Sequence, residues 1–329
     1  MRLVDKAYSL MENQKNKWIA VGLLLAGMLI IPLFADDYAL TVLQNAMFFM
    51  LLALGLNIIV GYCGLCDLGY AAKFAIGAYT TGILMKTFGW SFWLTIPASI
   101  LVSVVIAVII GGPTLKLRSD YLAIVTLGFA EIVRITARNL EITGSASGLN
   151  SIMRPSFFGI RLSHISHWYY VFLALVVIFV LLSGRIQNSR FGRALAYIRE
   201  DEDAAQAMGV NTTKYKLYAY MLGAVMGGVT GSFYAVRMTS ISPNSFDFTQ
   251  SANILLAVIL GGMGKTPGVL MGAAFFAIFP ELFRDIPVIG NMRMLFFGIL
   301  LVVVMMKRPQ GLWPDRRQRI PERKESEEA

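Results

Sequence analysis

Long charge-free apolar stretches constrain this chain more than any other feature: residues 18–34, 38–60, 92–110 and 168–182 each approach the ~17–25 residues a helix needs to cross a bilayer. In lipid the backbone must satisfy its own hydrogen bonds, and an α-helix does so within a single segment. With 56% hydrophobic and only 15% charged residues, the composition agrees, and the expected fold class is all-α: a polytopic membrane helix bundle. The first stretch follows Arg2, Lys6, Lys15 and Lys17, as a secretory signal would. It reads instead as an uncleaved anchor, because its apolar core exceeds the ~7–15 residues of a signal, no A-x-A site follows Phe34, and further spans come after it.

About ten transmembrane or re-entrant segments are predicted, centred near residues 26, 50, 78, 101, 128, 175, 226, 256, 275 and 299. The third, eighth and ninth are short and rich in glycine, so each is either a full crossing or a re-entrant or broken helix. Positively charged loops resist translocation, which orients the bundle. With both termini cytoplasmic, 20 of the 29 lysines and arginines fall inside and 8 outside, with Lys73 within a segment. Topology therefore explains the net charge of +9, and no nucleic-acid partner is needed. The expected organisation is a cytoplasmic tail 1–17, a transmembrane domain 18–306 that includes a cytoplasmic loop 184–213, and a cytoplasmic tail 307–329. An outer loop at 137–167 contains the small-residue stretch TGSASG at 143–148, which is either a surface for an external partner or a flexible linker.

Two familiar chemistries can be set aside. Cys63 and Cys66 form C-x-x-C, but the two histidines, His164 and His167, have H-x-x-H spacing and belong to the opposite membrane face, so no zinc site or other metal site is expected. Gly264-Lys-Thr266 resembles the end of a phosphate-binding loop, yet Ile259 stands where G-x-x-x-x-G-K-T needs glycine. Pro267 is expected to disrupt the helix that should follow. A tight inner turn is the better account, and neither a cofactor nor catalysis is expected on this chain: no nucleophile with a matched base and no H-E-x-x-H appears in the spans.

The loop 184–213 is the most informative segment. Glu200, Asp201, Glu202 and Asp203 crowd one point and Gly209 follows, which marks the two ends of a short helix over 201–208. Ala194, Ile198, Ala205 and Met208 recur at intervals that line a modest apolar stripe needing cover, either from a partner or from this protein itself. Ala204 and Ala205 are small enough to enter a groove, and Asn211 is placed to cap the next membrane helix.

Here the residues reach a resemblance. The sequence DAAQAMG at 203–209 is similar to the E-A-A-x-x-x-G loop of importer permeases driven by ATP-binding cassettes, with Asp for Glu, although the later I-x-L-P of that motif is absent. The wider stretch GRALAYIREDEDAAQAMG at 192–209 resembles the branched-chain amino acid branch. So do GYCGLCDLGY at 61–70 with AIGAY at 75–79, LRSDYLAIVTLGFAE at 117–131, LGGMGKTPG at 260–268 and KRPQGLW at 307–313. Lys73 departs from the apolar residue expected in that family. The resemblance implies a membrane-spanning permease subunit of the bacterial inner membrane, moving leucine, isoleucine or valine. Its implied partners are cytoplasmic ATPase subunits, a second homologous permease and a periplasmic binding protein. It assigns ATPase coupling to Arg199, Glu200, Asp201, Asp203, Ala204, Ala205, Met208 and Gly209. Relatives of this kind also move urea or short amides.

Ionisable groups at membrane depth cost ~2.5–3.5 kcal/mol each on insertion scales, so Asp67, Lys73, Glu131 and Arg134 should face the bundle or a wet cavity. Glu131 and Arg134 can neutralise each other on one helix face. Asp67 and Lys73 lie nearly opposite on a regular helix and can pair only if the segment is broken. Asn45, Asn57, Asp67, Tyr70, Lys73, Tyr79, Thr126 and Glu131 are the candidates for a substrate path, each open to an ordinary structural role as well. Gly223, Gly227 and Gly231 share one helix face suited to close packing, within the chain or between subunits. The rival is a self-sufficient transporter driven by Na⁺ or H⁺, with Asp67 and Glu131 as ion sites.

Overall fold

Within the described residues every apolar stretch is helical, as the need for internal hydrogen bonding in lipid demands. The computed structural model of the protein describes residues 27–115, 117, 119–157, 160–161 and 164–282, and beyond them only 298–299, 302, 306 and 311–312. The first and tenth predicted segments and both tails lie largely outside these. The helices are α1 (Asp37–Asn57), α2 (Tyr70–Thr87), α3 (Phe92–Thr114), α4 (Ser119–Asn139), α5 (Ile165–Asn188), α6 (Arg190–Glu200), α7 (Glu202–Ala207), α8 (Thr212–Met238), α9 (Phe248–Gly261) and α10 (Thr266–Leu282). A ribbon of two residues per strand, Ser156–Phe157 against Ile160–Arg161, is the one sheet among the described residues. The fold is a polytopic membrane bundle.

Among the described residues four elements are long and apolar enough to cross a membrane: α1 with its following turn, α3, α5 and α8. Of these, α1 and α8 are central, with 72% of the apolar window buried, whereas α3 and α5 bury 33% and 39% and turn broad faces outward. The 14 residues of α9 reach only about 21 Å, short of the ~30 Å hydrocarbon core, so this element does not span it unaided.

Glycine governs how closely the central helices approach. Gly223 lies against Ile59 and the Gly55 carbonyl of α1, Gly227 against Tyr70 and Lys73 of α2, and Gly231 against the Phe74 carbonyl and Ala78 of α2. The stripe thus packs inside the chain. At the crossing of α2 and α8, a side chain on Gly77 would collide with the backbone of Gly228. Above it an aromatic cluster closes the bundle: Phe74 meets Phe48, Tyr234 and Phe246 with ring centroids 4.8–5.3 Å apart.

The loop between α4 and α5 is a folded structure and not a free tether. Leu149 and Ile241 exchange backbone hydrogen bonds of 2.9 and 2.8 Å, and the Ile152 amide donates to Thr239. Left-handed Gly144 and Gly148 make the turns, the latter tight against Ile241.

Two sequence expectations need correction. The stripe from Ala194 to Met208 is not on one helix, because Asp201 is extended (φ −155°, ψ 111°) and separates α6 from α7. Ala194, Ile198 and Ala205 are buried on this protein, while Met208 is 85% exposed. Pro267 does not disrupt a helix; it sits in the first turn of α10, where a missing amide proton is harmless. The phosphate-loop reading still fails, since helix α9 and not a strand precedes the turn.

Candidate functional site

The site begins where α1 fails to end cleanly. Residues Ile58–Tyr62 form a π-helical turn, a geometry common at functional positions. Residues 63–69 are then non-helical, with Gly64 at φ +76°, until α2 starts at Tyr70. This interruption resolves the placement of two charges. Asp67 stands ahead of α2 and accepts from the Gly69 amide at 2.9 Å, while its other oxygen pairs with Lys73, one turn into the helix. Both side chains are buried, at 0% and 6% exposure. The Lys73 ammonium also lies 3.7 Å from the centre of the Tyr220 ring, which adds a cation–π contact in a dry setting.

Around this pair the break is held on several sides. Thr126 of α4 accepts from the Leu68 amide at 3.2 Å, Ser251 of α9 accepts from the Ala71 amide at 2.9 Å, and the Tyr70 hydroxyl donates to the Gly223 carbonyl at 3.0 Å. The structure therefore brings Asp67, Tyr70, Lys73 and Thr126 together. Tyr220 and Ser251 were not foreseen; they lie some 150 and 180 positions away and no local pattern marks them.

The remaining candidates are elsewhere. Asn57, fully buried, accepts from the Gly264 amide at 2.9 Å, and its own side-chain amide has no partner among the described residues. Tyr79 packs against Phe246 with its hydroxyl buried and without a partner among the described residues. Asn45 lies in the first half of α1, where Arg237 donates to it and to Gln44. Glu131 pairs with Arg134 on the flank of α4, with side-chain exposures of 41% and 20%.

A second cluster gathers where the ends of several helices meet. Ser189 caps α6, Asp201 caps α7 by accepting from the Ala204 amide, and Asn211 caps α8 by accepting from the Lys214 amide. The helix α7 is pinned by Glu202, which pairs with Lys216 of α8, itself only 5% exposed. Lys216 carries a detectable signal: a lysine near the start of a helix opposes the dipole and calls for an acidic neighbour. Arg199, at the end of α6, donates from Nη1 to the Gly61 carbonyl at 2.6 Å, and Gln187 donates to the Gly264 carbonyl at 3.2 Å. Glu200, Asp203, Ala204, Met208 and Gly209 are left facing outward. No group of three or more metal-ligating side chains exists among the described residues.

Comparison with known proteins now bears directly on this arrangement. Residues 38–305 match the family described as branched-chain amino acid transport system / permease component. The chain belongs to that permease family. The permease is 38% identical to the high-affinity branched-chain amino acid transport system permease protein LivM of Salmonella typhimurium over 313 residues, which cover 88% of this chain and 73% of the relative. It is 26% identical to the probable LivM of Methanocaldococcus jannaschii, covering 82% and 91%. It is 22% identical to LivH of Salmonella typhimurium, covering 80% and 90%. No solved structure matches it. As a permease component the chain is one part of a multi-component membrane transport system and performs no catalysis itself.

Proposed function

We propose that this permease moves leucine, isoleucine and valine across the inner membrane as one of two homologous membrane subunits, with ATP hydrolysed on separate cytoplasmic subunits and substrate delivered by a periplasmic binding protein. The observation that carries the reading is α7: a short, doubly capped rod whose Ala205 is buried on this chain while Ala204 and Met208 face outward next to an acidic rim. A rod anchored on one side and bare on the other suits insertion into a groove of another protein. Salmonella typhimurium has both a LivM and a LivH of this family, which supports pairing with a second, different permease.

The ion-driven alternative loses its best residues. Asp67 and Glu131 are each paired with a basic side chain, so neither offers a free carboxylate to a cation.

Ala204→Asp and Met208→Asp test the docking role, since both positions are exposed and neither change disturbs the core. Each variant is expected to insert normally but to lose co-purification of the ATPase subunits and at least about 90% of leucine uptake, the scale of burying one unpaired charge at an interface. Unchanged uptake in both variants, or uptake by the purified permease alone under an ion gradient, overturns the reading. Competition by isoleucine and valine, and its absence with urea or acetamide, fixes the substrate class.

A further inference from the structure

In the proposed coupling segment a side chain that remains partly exposed also reaches back into the bundle. Arg199 is in the last turn of α6, next to the exposed rod, yet its guanidinium turns inward to the Gly61 carbonyl at 2.6 Å. Among the described residues no backbone amide outside a helix donates to that carbonyl: the amides of Gly64 and Leu65 return to Val60 and Ile59 instead. The path of the side chain is cut into the backbone. A Cβ on Gly64 would lie 2.9 Å from Arg199 Cγ, and one on Gly264 would lie 2.6 Å from Nη1. Both glycines have positive φ, +76° and +87°, so the passage depends on residues that no other side chain replaces without strain. Three backbones meet at this tip: the end of α6, the helix break and the turn before α10.

We propose that Arg199 is a positioning residue for transport, the link that carries displacement of the α6–α7 rod into the broken helix 58–69 and so toward the Asp67–Lys73 pair. This rests on the coupling role of α7 proposed above. A charge-assisted hydrogen bond to a carbonyl within a gap lined by backbone transmits both push and pull, whereas the apolar contacts of α6 resist only compression. The break also contains its own reporter, because the protein has only two cysteines, Cys63 and Cys66, and both lie in it. Cys63 is buried and Cys66 partly accessible.

The test uses the complete transporter in proteoliposomes, comparing native protein with Arg199→Met, which keeps the stem and loses the donors, and Arg199→Lys, which can still donate to Gly61. Uptake of leucine, ATP hydrolysis and maleimide modification of Cys66, read by mass spectrometry with and without a non-hydrolysable ATP analogue, are measured together. Expected are nucleotide-dependent Cys66 modification in the native complex, its loss in Arg199→Met, and uptake lowered about tenfold or more, the loss of a hydrogen bond to a charged group. Hydrolysis stays within about twofold and Arg199→Lys recovers most of the coupling. Native uptake that runs without ATP sinks the proposed function. ATP-dependent uptake with Cys66 indifferent to nucleotide in the native complex overturns only the role of Arg199, and needs no variant. Loss of the ATPase subunits from Arg199→Met in step with uptake makes Arg199 a docking contact and also overturns it.

Discussion

Among the described residues two ion pairs, Asp67–Lys73 and Glu131–Arg134, belong to the membrane bundle of this permease, and they solve the same problem in opposite ways. Asp67 and Lys73 are sealed inside the bundle, joined across a helix break and covered by Tyr220. Glu131 and Arg134 sit three apart on a continuous helix, partly exposed on the flank of α4 beside Tyr121, Ile124, Ile132 and Ile135. The first pair holds a fold together, since each charge has lost its water and depends on the opposite charge, helped by the Gly69 amide and the Tyr220 ring, to replace it. The second needs no tertiary contact to form, because helical spacing alone supplies it. Its residual exposure is tolerable in a membrane only against water or another protein, so the two pairs separate an inner structural role from an outward-facing one.

The contrast predicts a graded series of effects. The largest falls on Lys73→Leu, which strands a buried Asp67 carboxylate and is expected to destabilise the permease by ~3–5 kcal/mol, read as lower thermal stability in detergent and loss of membrane-inserted protein. The double change Asp67→Asn with Lys73→Met should recover most of that loss. Equal damage from single and double variants breaks the comparison by making the pair itself indispensable. An intermediate effect is expected from Glu202→Gln, because Lys216 is as buried as Lys73 but Glu202 is 45% exposed. Loosening α7 should cost about 1–3 kcal/mol locally, seen as faster proteolysis within 184–213 with the bundle intact. The smallest is the double change Glu131→Gln with Arg134→Gln, worth under ~1 kcal/mol of stability to the isolated chain for a partly solvated pair. Thermal stability as low as that of Lys73→Leu erases the distinction between the two pairs. A drop in leucine uptake at unchanged stability sharpens it, by assigning the α4 flank to transport.

Much of this was legible in the sequence. Apolar runs locate helices because lipid leaves the backbone no alternative, and the glycine spacing at 223, 227 and 231 marks a face for close approach. Even the pairing of Asp67 with Lys73 was conditionally readable: the six-residue spacing forbids it on a regular helix, and the glycines around 61–69 supply the break. What stayed hidden is contact between distant segments. Arg199 meeting Gly61, Lys216 meeting Glu202, and Arg237 meeting Gln44 each depend on the way helices are stacked, for which single-sequence periodicity contains no term. The misjudged stripe from Ala194 to Met208 failed for a local reason. Asp201 looked like one of four helix-starting acids, yet its cap geometry ends one helix as it begins the next.

The crossing of Gly77 over Gly228 has a mechanical corollary. With backbone laid on backbone, no rotamer is available there to absorb a shift, so the two helices can swivel about the contact but cannot slide along each other. Whatever rearrangement accompanies transport must therefore turn α2 and α8 about this fixed pivot and bend the rest of the protein around it.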